Sequence, residues 1–158
     1  MSRQGMRCLG AAQRTVVAAC FILAGCRQGI VVSEPSAPPF SGITATSADG
    51  TVVQNDPDDW KPPQGVNAQV HPVHPNPCTR DGSFEFIFVL TQRDSVIVTL
   101  NDTPEHVVDV IIQQSVNSGE HRITPFIRNL LPGPYRLYFT IVRPTIVAST
   151  YGDIQINP

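Results

Sequence analysis

SFEFIFVL, residues 83–90, alternates Phe84, Phe86, Phe88 and Leu90 with Ser83, Glu85, Ile87 and Val89. Successive side chains of an extended chain point to opposite faces, so a period of two places the three phenylalanines and Leu90 together on one side. Aromatic and β-branched residues fit a pleated, half-buried surface, and the run therefore predicts a strand with an aromatic inner face. One strand cannot bury such a face by itself. A second layer must cover it, and the remaining sequence has to supply that layer.

Working outward, the same period recurs. Val96, Val98 and Leu100 alternate with Ser95, Thr99 and Asn101; Val108, Val110 and Ile112 follow; then come Ile123 within 121–126, Tyr135, Leu137, Phe139 and Ile141, and a last segment over 146–156. A weaker first strand is predicted over 66–71. Between these runs lie Arg80-Asp81-Gly82, Asn101-Asp102-Thr103-Pro104, Asn117-Ser118-Gly119 and Leu131-Pro132-Gly133-Pro134, the residue types that tight turns require. Seven short strands with no helical periodicity predict an all-β domain over residues 66–158, an Ig-like or fibronectin-III-like sandwich of about seven strands.

The amino terminus reads differently. Arg3, Arg7 and Arg14 precede an apolar run over 15–25, and small residues stand before Cys26, the layout of an export signal over residues 1–25. Eleven residues of helix reach about 17 Å, short of a hydrocarbon core of about 30 Å. Leu23-Ala24-Gly25-Cys26 resembles the lipobox of bacterial lipoproteins, and that resemblance implies diacylglyceryl transfer to the Cys26 thiol, cleavage before it, and a membrane-anchored protein on the extracytoplasmic side of a bacterial envelope. Val17-Ala18-Ala19-Cys20 also fits the pattern but leaves almost no apolar run ahead of it. A retained signal-anchor helix is the alternative.

Residues 26–65 carry six prolines, few aromatics and no sustained period, and read as a proline-rich tether, with Thr51-Val52-Val53 able to add an edge strand. Trp60, among Asp56, Asp58 and Asp59, is open to two readings: an aromatic anchor for a partner, or a lid folded onto the sandwich. The aspartate spacing lacks the glycine and distal glutamate of an EF-hand loop.

His74-Pro75-Asn76-Pro77 before the Phe84 strand, Ser118-Gly119-Glu120-His121 before Ile123, and Arg128-Asn129-Leu130-Leu131-Pro132-Gly133-Pro134-Tyr135 before a closing strand resemble the C-terminal Ig-like modules of type IX secretion cargo and of flagellar hook-capping proteins. The resemblance covers roughly residues 74–157 and implies a non-enzymatic Ig-like fold. The chain ends Tyr151-Gly152-Asp153-Ile154-Gln155-Ile156-Asn157-Pro158 without the basic patch of sorting modules, so the fold carries over and the sorting role does not.

HPVHPNPC, residues 71–78, brings His71, His74 and Cys78 close in sequence, but zinc needs four convergent ligands and a proline-stiffened extended chain splays them. These three are weak metal candidates, and no cofactor is expected. Serine, histidine and aspartate occur without a nucleophile elbow or cysteine signature, so no enzyme is expected. Eight cations against 13 carboxylates over residues 26–158 leave a net charge of −5, which argues against a sequence-independent nucleic-acid grip. Ile87, Val89, Ile97 and Ile111, on nominally outward faces, together with Trp60, are candidate contacts for another envelope or membrane protein, with adhesion or glycan binding as the alternative.

Overall fold

The computed structural model describes residues 38–80, 82–125 and 130–158. The signal segment, Leu23, Ala24, Gly25, Cys26 and the tether as far as residue 37 lie outside the described residues. Within them the chain is all-β, and it holds no helix long and apolar enough to cross a membrane.

Ten strands are described: β1 (Ala45–Thr46), β2 (Val52–Gln54), β3 (Ala68–Val70), β4 (Cys78–Thr79), β5 (Phe86–Leu90), β6 (Asp94–Thr103), β7 (His106–Val116), β8 (Gly119–Ile123), β9 (Gly133–Arg143) and β10 (Ile146–Asn157). A described strand falls in each of the seven expected segments, and β1, β2 and β4 bring the number to ten; β2 overlaps Thr51-Val52-Val53 but pairs with β1 and does not add an edge to either larger sheet. Strands β3, β5 and β8 form one sheet; a second runs β4-β10-β9-β6-β7; β1 and β2 form a separate ribbon. All pairings are antiparallel except β4 with β10.

The two larger sheets pack face to face. Phe86 and Phe88 of β5 meet Phe139 of β9 with ring centroids 5.9 and 4.9 Å apart. Around them are Leu90, Val96, Val98, Leu100, Leu137, Ile141, Ile154 and Ile156, all buried. The inner face read from SFEFIFVL is thus the centre of the core. Where the chain crosses from β8 to β9, the Tyr135 hydroxyl donates to the Leu131 carbonyl at 2.9 Å and pins the corner.

The tether expected over 26–65 is shorter than its composition implied. Thr44, Thr46, Asp59 and Trp60 are buried, so the chain from Pro38 onward is an arm packed on the sandwich. Trp60 is the lid of the two readings: its indole is 5.8 Å from Phe86, and its backbone N–H donates to the Tyr151 carbonyl at 2.7 Å. Polar partners hold the rest of the arm, which is why an apolar-periodicity reading missed it.

Strand β7 also departs from expectation. The β6–β7 register shifts between Val98 and Thr99 and again beyond Leu100, leaving two residues of β7 opposite one of β6. The first bulge turns Ile111 toward the core and brings Val110 out opposite Thr99, so the regular alternation over Val108, Val110 and Ile112 does not hold.

Candidate functional site

Five candidate contact residues do not converge. Trp60 is only 7% exposed and cannot present an anchor to a partner in this conformation. Ile87 and Val89 are half-buried on the outer face of the three-stranded sheet. There Arg122, the cross-strand partner of Ile87, bonds both Glu85 and Glu120 at 2.8 Å. Ile97 is on the outer face of the other sheet, opposite Thr140. Ile111 packs against the core, a correction that follows from the β7 bulge.

Ile97 does have apolar company that periodicity did not predict. Val107, Val110 and Val147, 46%, 50% and 37% exposed, sit on the same outer face through their pairings with Asn101, Thr99 and Val142. Val107 and Val110 lie on β7, the outermost strand of its sheet, whose far edge pairs with no described strand, whereas Val147 lies on β10, beyond β6 and β9. Only register could have revealed Val110, because a bulge reverses which residues of β7 face outward.

His71, His74 and Cys78 diverge. The His71 backbone N–H donates to Ile87, the His74 imidazole is 3.8 Å from the Glu85 carboxylate, and Cys78 is buried in β4, where burial pushes its thiol above the usual range. Two cis peptide bonds, His74–Pro75 and Asn76–Pro77, occur here. Among the described residues no three His, Cys, Asp or Glu side chains form a metal-ligating group.

The densest polar constellation lies where the arm meets β9 and β10. Arg136 and Asp153 are a cross-strand pair, and the fully buried guanidinium bonds both carboxylate oxygens, Nε to Oδ1 at 2.6 Å and Nη2 to Oδ2 at 2.8 Å. Its remaining Nη1 donates to the Pro38 carbonyl at 2.6 Å, and the guanidinium is 4.1 Å from the Tyr151 ring centroid and 5.1 Å from that of Phe40. Burial opposes the charge on Arg136, but the bonds to Asp153 outweigh it and raise its pKa.

Next to this pair, the Asp59 carboxylate accepts the backbone N–H groups of Thr44 and Asp153, both at 2.8 Å, tying arm to sheet. Asp58 accepts from the Tyr151 hydroxyl at 3.2 Å, and burial together with Asp58 pushes that phenol up to about 12. Asp56 is pushed up by the neighbouring Asp58 carboxyl, which Asp56 in turn pulls down.

Burial raises Asp59 from 3.8 to about 6, against its two backbone hydrogen bonds. Asp153 adds like charge to it, while Arg136, Asp56, Asp58 and Tyr151 complete its ionisable surroundings. A carboxyl raised in the folded state binds its proton more tightly there than in the unfolded chain, so it stabilises the fold at low pH, and that stabilisation is lost as pH rises through about 6. The full excursion corresponds to about 3 kcal/mol, of which roughly 1 kcal/mol separates pH 7.5 from pH 5. Urea melts should therefore show higher stability at pH 5 than at pH 7.5. Asp59→Asn should lose most of that difference, keeping only what Asp153 and Asp56, also raised, contribute, and a flat wild-type profile would refute the assignment. Below about pH 4 the gain reverses, because Asp94, held below the usual range by Arg143, loses its ion pair on protonation.

Trp60 completes this junction. Its backbone is left-handed, with φ of 54°, and its buried indole N–H has no hydrogen-bond partner among the described residues. A non-glycine residue in that region costs about 1–2 kcal/mol, and an unpaired buried donor about 1–3 kcal/mol. A groove of about 640 Å³ opens beside the junction, with Phe40, Tyr135, Pro104 and Pro134 among its walls.

No protein-family model, curated protein or solved structure matches this chain.

Proposed function

We propose that this chain is a lipid-anchored protein of the bacterial envelope, acylated at Cys26, whose Ig-like sandwich acts by protein contact as an accessory subunit of a larger membrane assembly. The observation that carries the contact reading is the outer-face group Ile97, Val107 and Val110 beside the edge of β7 that no described strand covers. An apolar surface bordering an uncovered strand edge offers both side-chain burial and main-chain hydrogen bonds to a partner. The Ig-like assignment is supported by the three-and-five division of strands, by the crossings from β5 to β6 and from β8 to β9, and by the Tyr135 corner. The anchor rests on Leu23-Ala24-Gly25-Cys26 behind its apolar run.

Each part has its own test. Intact mass spectrometry of the native protein should give a chain beginning at Cys26 and carrying lipid, and Cys26→Ala should keep residues 1–25 and lose the acyl mass. An unmodified wild-type chain beginning at Met1 would replace the lipid by a retained signal-anchor. For the contact face, Val110→Asp puts a charge at a half-exposed position and should change stability by no more than about 0.5 kcal/mol. It should nevertheless release the protein from its assembly in mild detergent. Unchanged co-migration of the variant, or a wild type that migrates only as a free monomer, refutes the subunit role.

Glycan adhesion is a second reading, favoured by the groove that places the Phe40 and Tyr135 rings beside the arm. Tyr135 is buried and has its hydroxyl committed to Leu131, which leaves the half-buried Phe40 ring as the stacking surface. A glycan-array screen without signal disposes of it.

A further inference from the structure

We infer that the peptide bond between Asp56 and Pro57 cuts itself in mild acid, with the Asp56 carboxyl attacking its own backbone carbonyl. This inference concerns the arm alone and does not depend on the lipid anchor.

Asp56-Pro57 is the one Asp-Pro pair in the chain. Two features of such a pair make its amide easier to break than others. The carboxyl is one methylene from the backbone, so it closes on the carbonyl carbon as a five-membered anhydride. The tertiary proline nitrogen is more basic than an ordinary amide nitrogen and leaves more readily. In a flexible chain the carboxyl samples several rotamers, and only water attends the carbonyl.

The fold changes both conditions. Residues 56–59 form a tight turn with proline at its second position, in which the Asp59 backbone N–H donates to the Asp56 carbonyl at 3.3 Å. Buried Thr44 clamps the same residue: its hydroxyl accepts the Asp56 N–H at 3.1 Å and donates to the Asp56 carbonyl at 3.5 Å. The oxygen of the bond to be cut therefore has two donors aimed at it, as an oxyanion requires, and both are long enough to tighten as charge develops. The attacking side chain is confined as well. Its Oδ1 accepts the Asp58 N–H at 3.3 Å, and a Cβ on Gly42 would overlap its Oδ2.

The acid form of Asp56 supplies everything the step needs except water. A carboxyl oxygen adds to the Asp56 carbonyl carbon, the bond from that carbon to the Pro57 nitrogen breaks, and the carboxyl proton ends on the nitrogen. One solvent water then opens the anhydride to two carboxyls. The products are a chain ending at Asp56 and a chain beginning at Pro57, together one water heavier than the parent.

The surroundings favour that acid form. A hydrogen bond with the Asp58 carboxyl pushes Asp56 above the usual range, and the charges of Asp58 and Asp153 add to it. Asp59 lies on the same turn, Tyr151 donates to Asp58, and Arg136 is bonded to Asp153. The acid form grows as pH falls, so the cut belongs to acid and the chain stays whole at neutral pH. Afterwards the two parts remain docked through the Thr46–Asn76 bridge, Asp59 on Thr44 and Arg136 on the Pro38 carbonyl.

The test incubates the full chain in detergent at pH 5 and pH 7.5 and reads it by denaturing electrophoresis and intact mass. The wild type should yield the two fragments at least about tenfold faster at pH 5 than at pH 7.5. At pH 5 it should also be cut at least about tenfold faster folded than in urea, where only the bare Asp-Pro chemistry remains. Asp56→Asn and Pro57→Ala should stay whole. Thr44→Val should slow the cut at least about tenfold, and Thr44→Ser, which restores the hydroxyl, should recover it. A wild type that stays whole at pH 5 overturns the inference. So does a cut equally fast in urea, or one that persists in Asp56→Asn.

Discussion

Arg136→Ala should destabilise the sandwich by about 3–5 kcal/mol, more than the loss of an ordinary surface ion pair by severalfold. The reason is what it leaves behind. Asp153 is 1% exposed, and both its carboxylate oxygens are bonded to Arg136. Removing the cation strands a charge in a buried site, and it also frees the Pro38 carbonyl and takes away the planar surface between Phe40 and Tyr151. Urea denaturation of Arg136→Ala beside the wild type reads the loss directly. A sharper discrimination comes from the pair Arg136→Met/Asp153→Leu. Replacing both members with apolar residues of similar volume removes the stranded charge, so the double variant should recover most of the lost stability. A double variant as unstable as Arg136→Ala would mean that the ion pair itself, and not the unpaired carboxylate, sets the cost.

Gly152→Ala should be almost as damaging, although it adds one methyl group. A Cβ on Gly152 would overlap Cε2, Cζ2 and Cδ2 of Trp60, and a rigid ring in a packed cleft has no small displacement that relieves such a clash. The indole must leave, and with it goes the burial of a large aromatic side chain, a loss of about 3–5 kcal/mol by comparison with core truncations. Thermal melts should show Gly152→Ala close to Trp60→Ala. The combination of the two should be little worse than either alone, since an arm without its indole no longer meets the new methyl. Additive losses would show that Gly152 matters for the β10 backbone and not for the seat of Trp60. Tryptophan fluorescence gives an independent reading, because Trp60 is the sole tryptophan and its ejection should shift emission to the red.

The inner face of the sandwich was legible because it follows from local periodicity. Phe84, Phe86, Phe88 and Leu90, the Val96 to Leu100 run and the Leu137 to Ile141 run alternate as strands must, and each of these inward residues is buried. Outward positions were less legible. Ile97 was placed on the correct face, but Ile111 and Val110 were interchanged, because a bulge adds one residue to β7 and leaves no mark in apolar alternation. The arm was read as a tether for a related reason. Its attachment uses Asp59, Asn76, Arg136 and Asp153, and a polar residue buried with its partners looks in sequence the same as one exposed to water.

From the sequence alone came the all-β class, the inner faces of the strands and the apolar run that ends at Cys26, all consequences of neighbours along the chain acting within a few residues of one another. The tertiary structure alone decided that Trp60 is a plug, that Arg136 and Asp153 meet across β9 and β10, and that Val107, Val110 and Val147 share an outer face with Ile97. Contacts of this kind join residues up to 98 positions apart, as between Pro38 and Arg136. They depend on register and on hydrogen-bond satisfaction in a buried site, and neither can be evaluated until the sheets have packed.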